Sequence, residues 1–147
     1  MKRANKKKSS QKTWLWAALA VVLVAAAGLI VALSQPSTQA QGSLPDQVSV
    51  AQAADLRDQG AFILDVRQPE EWQQVHIPGA TLIPLGELPD RLDEVPQDQE
   101  VVVVCRSGNR SAQGRDILRS AGFEQVTSMA GGVTQWQAQG LPVESGQ

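Results

Sequence analysis

From residue 48 onward the sequence predicts a small α/β domain: a parallel sheet of about five strands with helices on both faces. Three observations predict it. Four consecutive valines at 101–104 form an uninterrupted β-branched run, the pattern of a strand buried on both faces. A second run, Ala61-Phe62-Ile63-Leu64-Asp65-Val66, has the same character. Strand-like and helical stretches then alternate along the chain, which argues a parallel sheet with right-handed crossovers covering both faces.

The elements follow in order. Val48-Ser49-Val50 is a short strand or the lead-in to a helix; Ser49 and Gln52 have capping-box spacing, and Gly60 is a stop signal. Residues 61–66 are the second strand. Pro69 suits a first helical position, and Glu70 and Glu71 complement the positive end of the helix dipole. His76-Ile77-Pro78-Gly79-Ala80 reads as a loop, and Thr81-Leu82-Ile83 as a short strand. Pro84, Pro89 and Pro96 punctuate a helical turn around residues 88–92. The valine strand comes next. A helix is expected over residues 111–121, where Ala112, Ile117, Leu118 and Ala121 supply an apolar stripe and Gly122 ends it. A last strand falls within 123–128, and a last short helix, bearing Trp136, over 132–139.

The chain ahead of this domain differs in composition. Six basic residues fall within 1–13, and residues 14–33 contain no charge. At ~1.5 Å rise per residue that run spans about 30 Å as a helix, the thickness of a bilayer core. Trp14 and Trp16 sit at its amino end, where interfacial indoles are favoured. The expected organisation is a basic cytoplasmic N-terminus (1–13), a transmembrane helix or long signal sequence (14–33), a polar linker (34–47) and the α/β domain (48–147). The run is longer than an ordinary signal-peptide core, which favours a retained anchor, although Thr38-Gln39-Ala40 offers a weak cleavage site. The positive-inside rule exports the domain on either reading, as a single-pass membrane protein or as a secreted or periplasmic one.

Beyond the leader, seven arginines face all fifteen acidic residues, a formal charge of −8. So acidic a domain is a poor nucleic-acid binder. Cys105 is the only cysteine, so it has no resolving partner and forms no internal disulfide. It follows the valine strand and precedes a polar loop and a helix, which places it at the carboxyl end of a strand, where ligands bind in open α/β sheets. A helix N-terminus and nearby arginines lower a thiol's pKa, and a core cysteine has no need of them. Cys105 is therefore a candidate nucleophile. The N–H groups of residues 106–111 have the makings of an anion-holding nest, and Gly108 permits a backbone angle that larger residues resist. Arg106 and Arg110 are candidate oxyanion binders, with nothing in the sequence to say which acts. Asp65 and Arg67 read as a structural brace, His76 as a loop residue, and Trp72 and Trp136 as core.

Taken together, Asp65-Val66-Arg67-Gln68-Pro69-Glu70-Glu71-Trp72, His76-Ile77-Pro78-Gly79-Ala80, Ile83-Pro84, Cys105-Arg106-Ser107-Gly108-Asn109-Arg110-Ser111, and Met129-Ala130-Gly131-Gly132 with Trp136 and Gly140-Leu141-Pro142-Val143 resemble a single-domain rhodanese-like, thiosulfate sulfurtransferase-type protein. The likeness runs from about residue 48 to 143; Val75 departs from it, where the family usually has glycine. The resemblance implies a sulfurtransferase in which Cys105 carries a persulfide. It implies substrate contacts from Arg106, Ser107, Gly108, Asn109, Arg110 and Ser111, an anionic thiosulfate-like donor, a thiol or cyanide acceptor, and no metal or cofactor. A membrane-tethered sulfur-carrier or partner-binding module, with a protein as sulfur acceptor, is the alternative. Phosphatases and arsenate reductases with Cys-x5-Arg loops place arginine six positions after the cysteine. Here that position is Ser111 and Arg110 arrives one residue early, a loop sized for sulfur rather than a phosphoryl group.

Overall fold

The computed structural model describes residues 43–146. The expected basic segment 1–13, apolar run 14–33 and linker up to residue 42 lie outside the described residues. Among the described residues no helix is long and apolar enough to cross a membrane.

Five strands form one sheet: β1 (Gln47–Val48), β2 (Phe62–Asp65), β3 (Thr81–Leu82), β4 (Val101–Val104) and β5 (Val126–Met129). Their order is β1-β5-β4-β2-β3 and every neighbouring pair is parallel. The helices are α1 (Val50–Asp58), α2 (Pro69–Gln74), α3 (Asn109–Ser120) and α4 (Gly132–Ala138). Two short 3-10 turns, Leu88–Asp90 and Leu92–Glu94, occupy the proline-punctuated stretch.

The valine strand explains how one sheet holds two cores. Side chains alternate across a strand. Val101 and Val103 join Leu64, Val66, Leu88 and Leu118 on one face. Val102 and Val104 join Ile63, Met129, Val133 and Trp136 on the other. All four valines are fully buried, each stabilising the fold by about 1.5–3 kcal/mol relative to exposure. Helix α3 lies close on the first face because Gly114 has no side chain. A Cβ there would stand 3.0 Å from Val103 Cγ1 and 3.3 Å from Val66 Cγ1.

The capping box decides between the two readings of residues 48–50. Ser49 Oγ accepts the Gln52 N–H at 3.3 Å and Gln52 Oε1 accepts the Ser49 N–H at 2.9 Å, so Val48 ends a strand and Val50 starts a helix. The last residues of the expected linker already belong to the domain. Gln47 pairs with Ser128 in the sheet, Arg115 Nη1 donates to the Asp46 carbonyl at 2.7 Å, and Arg119 pairs with the Asp46 carboxylate. Two arginines on α3 thus tie down the chain's entry, which polar composition alone does not reveal.

Candidate active site

Cys105 directly follows β4, and its side chain is 1% exposed. Its Sγ accepts the Gly108 N–H at 3.1 Å, which needs the chain to fold back over the sulfur within three residues. Gly108 makes that possible with φ +109°, in the left-handed region that favours glycine. Helix α3 begins just after it, at Asn109, two residues earlier than its apolar stripe suggests. The stripe marks where a helix starts to bury side chains; the left-handed glycine marks where its backbone starts. No side chain caps this helix, and the Ser111 N–H of its first turn is bonded to the sulfur.

The sulfur is held between opposing effects. Burial raises the thiol's pKa most strongly. The Ser111 hydroxyl and the backbone N–H groups of Ser111, Gly108 and Ser107 oppose it, and together they bring the thiol below its ordinary value. The thiol donates to Ser111 Oγ at 3.6 Å, and Ser111 in turn donates to the Gly108 carbonyl at 2.9 Å. Ser111 is fully buried, whereas Ser107 and Asn109 are exposed and contact the sulfur through the backbone or not at all.

Helix α4 supports the loop from behind. Val133 N–H donates to the Cys105 carbonyl at 2.8 Å and Thr134 N–H to the Arg106 carbonyl at 3.1 Å. Gly132 is pressed so close to these carbonyls that a Cβ would collide with the backbone of Cys105 and Arg106. A cavity of about 260 Å³ opens beside the loop, walled by Arg67, Glu71, Gln74, Arg106, Thr134 and Gln137.

The structure separates the two loop arginines. Arg110 Nη1 and Nη2 each donate to a Glu71 carboxylate oxygen at 2.7 Å, across 39 residues of sequence. Arg106 is exposed on the cavity wall and has neither a carboxylate nor a hydrogen-bond partner among the described residues. Among the described residues it is the one unpaired arginine: the other six there all form ion pairs. Glu71 is the site residue the sequence conceals. Its place in the first turn of α2 is already accounted for by the helix dipole and by its bond to the Gln68 N–H, and no spacing points to a partner so far along the chain.

Asp65 and Arg67 form the brace that the sequence suggests. Arg67 Nε and Nη2 grip the Asp65 carboxylate at 2.7–2.9 Å with both side chains buried, and Nη2 also donates to the Val75 carbonyl at 2.7 Å. His76 stacks on Trp72 with ring centroids 3.8 Å apart, and its Nδ1 lies 3.0 Å from the Trp72 carbonyl oxygen. Its Nε2 lies 3.7 Å from Glu144, so its partners belong to α2 and the C-terminal segment. Trp136 is core, as expected; Trp72 is only half-buried and serves as the stacking plate for His76.

Comparisons with known proteins show the family and the fold. Residues 49–139 match the family profile described as Rhodanese-like domain. The chain is 38% identical over 99 residues to a protein from Allochromatium vinosum named Sulfurtransferase, covering 67% of this chain and 91% of that one. It is 38% identical over 79 residues to the Putative sulfur carrier protein YrkF of Bacillus subtilis, covering 54% of this chain but only 43% of that one. Among solved structures, a rhodanese-related protein from Thermoplasma volcanium superposes with a TM-score of 0.63 at 28% identity, covering 68% of this chain and 98% of that one.

Proposed function

The chain belongs to the rhodanese-like family, and on that footing we propose that its domain moves sulfane sulfur through a persulfide on Cys105. The observation that carries this is the cradle: a buried sulfur faced by backbone N–H groups and set beside an unpaired arginine. The Cys105 thiolate attacks the outer sulfur of a thiosulfate-like donor. A new S–S bond forms, the donor's S–S bond breaks, and sulfite leaves with the electron pair. The outer sulfur of the persulfide then bears the negative charge, which N–H groups converging from the loop are placed to stabilise. An acceptor thiolate attacks that sulfur and restores the Cys105 thiolate; cyanide does the same and leaves as thiocyanate.

Each loop residue has a part in this reading. Arg106 receives the donor's oxyanion, because Arg110 is already committed to Glu71. Gly108 shapes the turn, and Ser107, Asn109 and Arg110 build the cradle's rim. Ser111 turns its hydroxyl from the Gly108 carbonyl toward the sulfur once the thiol proton has left. Intact-mass measurement of the full chain after thiosulfate treatment tests the core step. Gain of one sulfur atom, removed by excess thiol and absent in Cys105→Ser, is the expected result. Turnover of thiosulfate and cyanide that survives Cys105→Ser would overturn it.

The second reading is a sulfur carrier that releases its sulfur to one protein partner. The likeness to a relative named as a sulfur carrier supports it. A persulfide that forms but resists cyanide and small thiols favours this carrier; rapid turnover with cyanide favours the enzyme.

We also propose that residues 14–33 anchor the chain with the domain outside the cytoplasm, a reading supported by the basic flank and the uncharged run. Because Cys105 is the sole cysteine, labelling of intact cells with a membrane-impermeant maleimide reports its side of the membrane. Labelling only after lysis would overturn the proposed orientation.

A further inference from the structure

Glu71 holds three things at once. Its carboxylate accepts two bonds from Arg110 at 2.7 Å, and Oε2 also accepts the Gln68 N–H that closes the first turn of α2. Arg110 in turn stands between Gly108 and Ser111, whose N–H and hydroxyl oxygen lie 3.1 and 3.6 Å from the Cys105 sulfur; the pair with Glu71 raises the guanidinium's pKa most, and Cys105 and Asp65 add to it. The guanidinium is therefore a cation carried by the turn that wraps the sulfur, with its direction fixed by a carboxylate on another element.

We propose that Glu71 is a positioning residue that, by gripping Arg110, sets how much positive charge the Cys105 sulfur feels. The role rests on Cys105 being the sulfur carrier, and it deepens that reading. With the pair intact, the two charges largely cancel at the sulfur, and the neutral N–H groups of the loop supply most of the stabilisation. The charged groups around the sulfur are few. Arg106 and Arg110 lie on its own loop and the first turn of α3, and Glu71 lies on α2. The Asp65–Arg67 pair at the end of β2 is joined to itself, and each member also acts on the open pair, Asp65 on Arg110 and Arg67 on Glu71. The sequence of α4 holds no charged residue. Against that constant background, Glu71 and Arg110 are the pair that adjusts the balance at the sulfur, beside the unpaired Arg106.

Such a device has a signature that a purely structural tie lacks. Glu71→Gln removes a negative charge and releases Arg110 toward the sulfur, and both changes favour the thiolate. Arg110→Gln leaves the Glu71 carboxylate unneutralised, which disfavours it. The two substitutions therefore shift the thiol in opposite directions, and the double variant falls between them. A tie that merely holds the loop in shape loosens the N–H cradle when either partner is removed, so both shifts go upward.

The test is the pH dependence of iodoacetamide alkylation on the full-length chain, where the single cysteine makes the signal unambiguous. Glu71→Gln is expected to move the midpoint down by about half a pH unit, and Arg110→Gln to move it up by a similar amount. Glu71→Asp, which keeps the charge, leaves it near the wild-type position. The KM for thiosulfate falls in Glu71→Gln, since a second cation becomes available to the donor. Upward shifts in both single variants, or no shift in either, would overturn the role. If Glu71→Gln does not fold, the upward shift in Arg110→Gln decides by its salt dependence: a shift that shrinks in 1 M NaCl supports the role, and one that withstands it overturns it. Alkylation needs no sulfur transfer, so failure of the persulfide reading shows separately, as the absence of a sulfur adduct by mass.

Discussion

Two arginine–carboxylate pairs flank the mouth of this site, and they differ chiefly in their access to water. Arg67 and Asp65, at the end of β2, are 3% and 0% exposed; Arg110 and Glu71, between α3 and α2, are 31% and 28% exposed. Both are bidentate and both reach 2.7 Å. In the buried pair, either charge left alone has no solvent to turn to, so the pair acts as scaffold. In the open pair, water and salt temper each charge, so its partner can be removed without collapse. That makes it the one suited to adjusting a neighbouring sulfur.

The contrast is broken most sharply from the buried side. Arg67→Met leaves the Asp65 carboxylate buried and unpaired and also strips the Val75 carbonyl of its donor, so a loss of about 3–5 kcal/mol is expected. Urea unfolding with the same slope in both proteins measures it. The double variant Asp65→Leu with Arg67→Met should recover much of the loss, because it removes the uncompensated charge. If the single variant were as stable as the wild type, the distinction between scaffold and adjustable pair would disappear.

How much of this contrast the sequence discloses depends on how local each signal is. The two-sided burial of the valine strand is written in four adjacent residues, and the place of Cys105 at its carboxyl end follows from strand–loop–helix order. Asp65 and Arg67 are two residues apart, so their pairing is legible too. Glu71 and Arg110 are separated by 39 residues and meet only because β2 and β4 are neighbours in the sheet. The start of α3 at Asn109 is hidden for another reason: it depends on a backbone angle at Gly108 rather than on any apolar period. Gly114 and Gly132 are likewise silent, since their importance lies in what a side chain would hit.

A smaller effect is expected from the open pair. Glu71→Gln keeps an oxygen for the Gln68 N–H and removes the charge and one of the two bonds from a half-exposed Arg110, so a loss of about 1 kcal/mol follows at neutral pH. Its pH dependence has a definite sign. The bonds from Arg110 are the main cause that brings the Glu71 carboxyl down to about 2 from an ordinary 4.5, against the opposing effect of burial. The pair's contribution is therefore complete above about pH 4.5 and fades as the pH falls toward 2. The gap in urea midpoint between wild type and Glu71→Gln should close across that window. Raising NaCl to 1 M at neutral pH, where the Debye length is ~3 Å, should narrow it as well. The deficit of Arg67→Met should persist at the same salt concentration. A Glu71 gap that withstands salt would place the two pairs in one class.

Among the described arginines Arg106 completes the series as the one with no partner, and the smallest effect on stability is expected there. Arg106→Gln removes no ion pair and no hydrogen bond, so the urea midpoint should stay within about 0.5 kcal/mol of wild type. Its effect belongs to the donor instead. A charge-assisted bond to an oxyanion is worth about 1.5–3 kcal/mol, so kcat/KM for thiosulfate should fall at least ~10-fold. The rate of persulfide discharge to cyanide, measured on preloaded protein, should change far less, because the donor has already departed. A variant that loses stability as Arg67→Met does would mean that Arg106 is also a brace. One that keeps both stability and thiosulfate turnover would pass the oxyanion to the loop N–H groups and leave the exposed guanidinium without a part in donor binding.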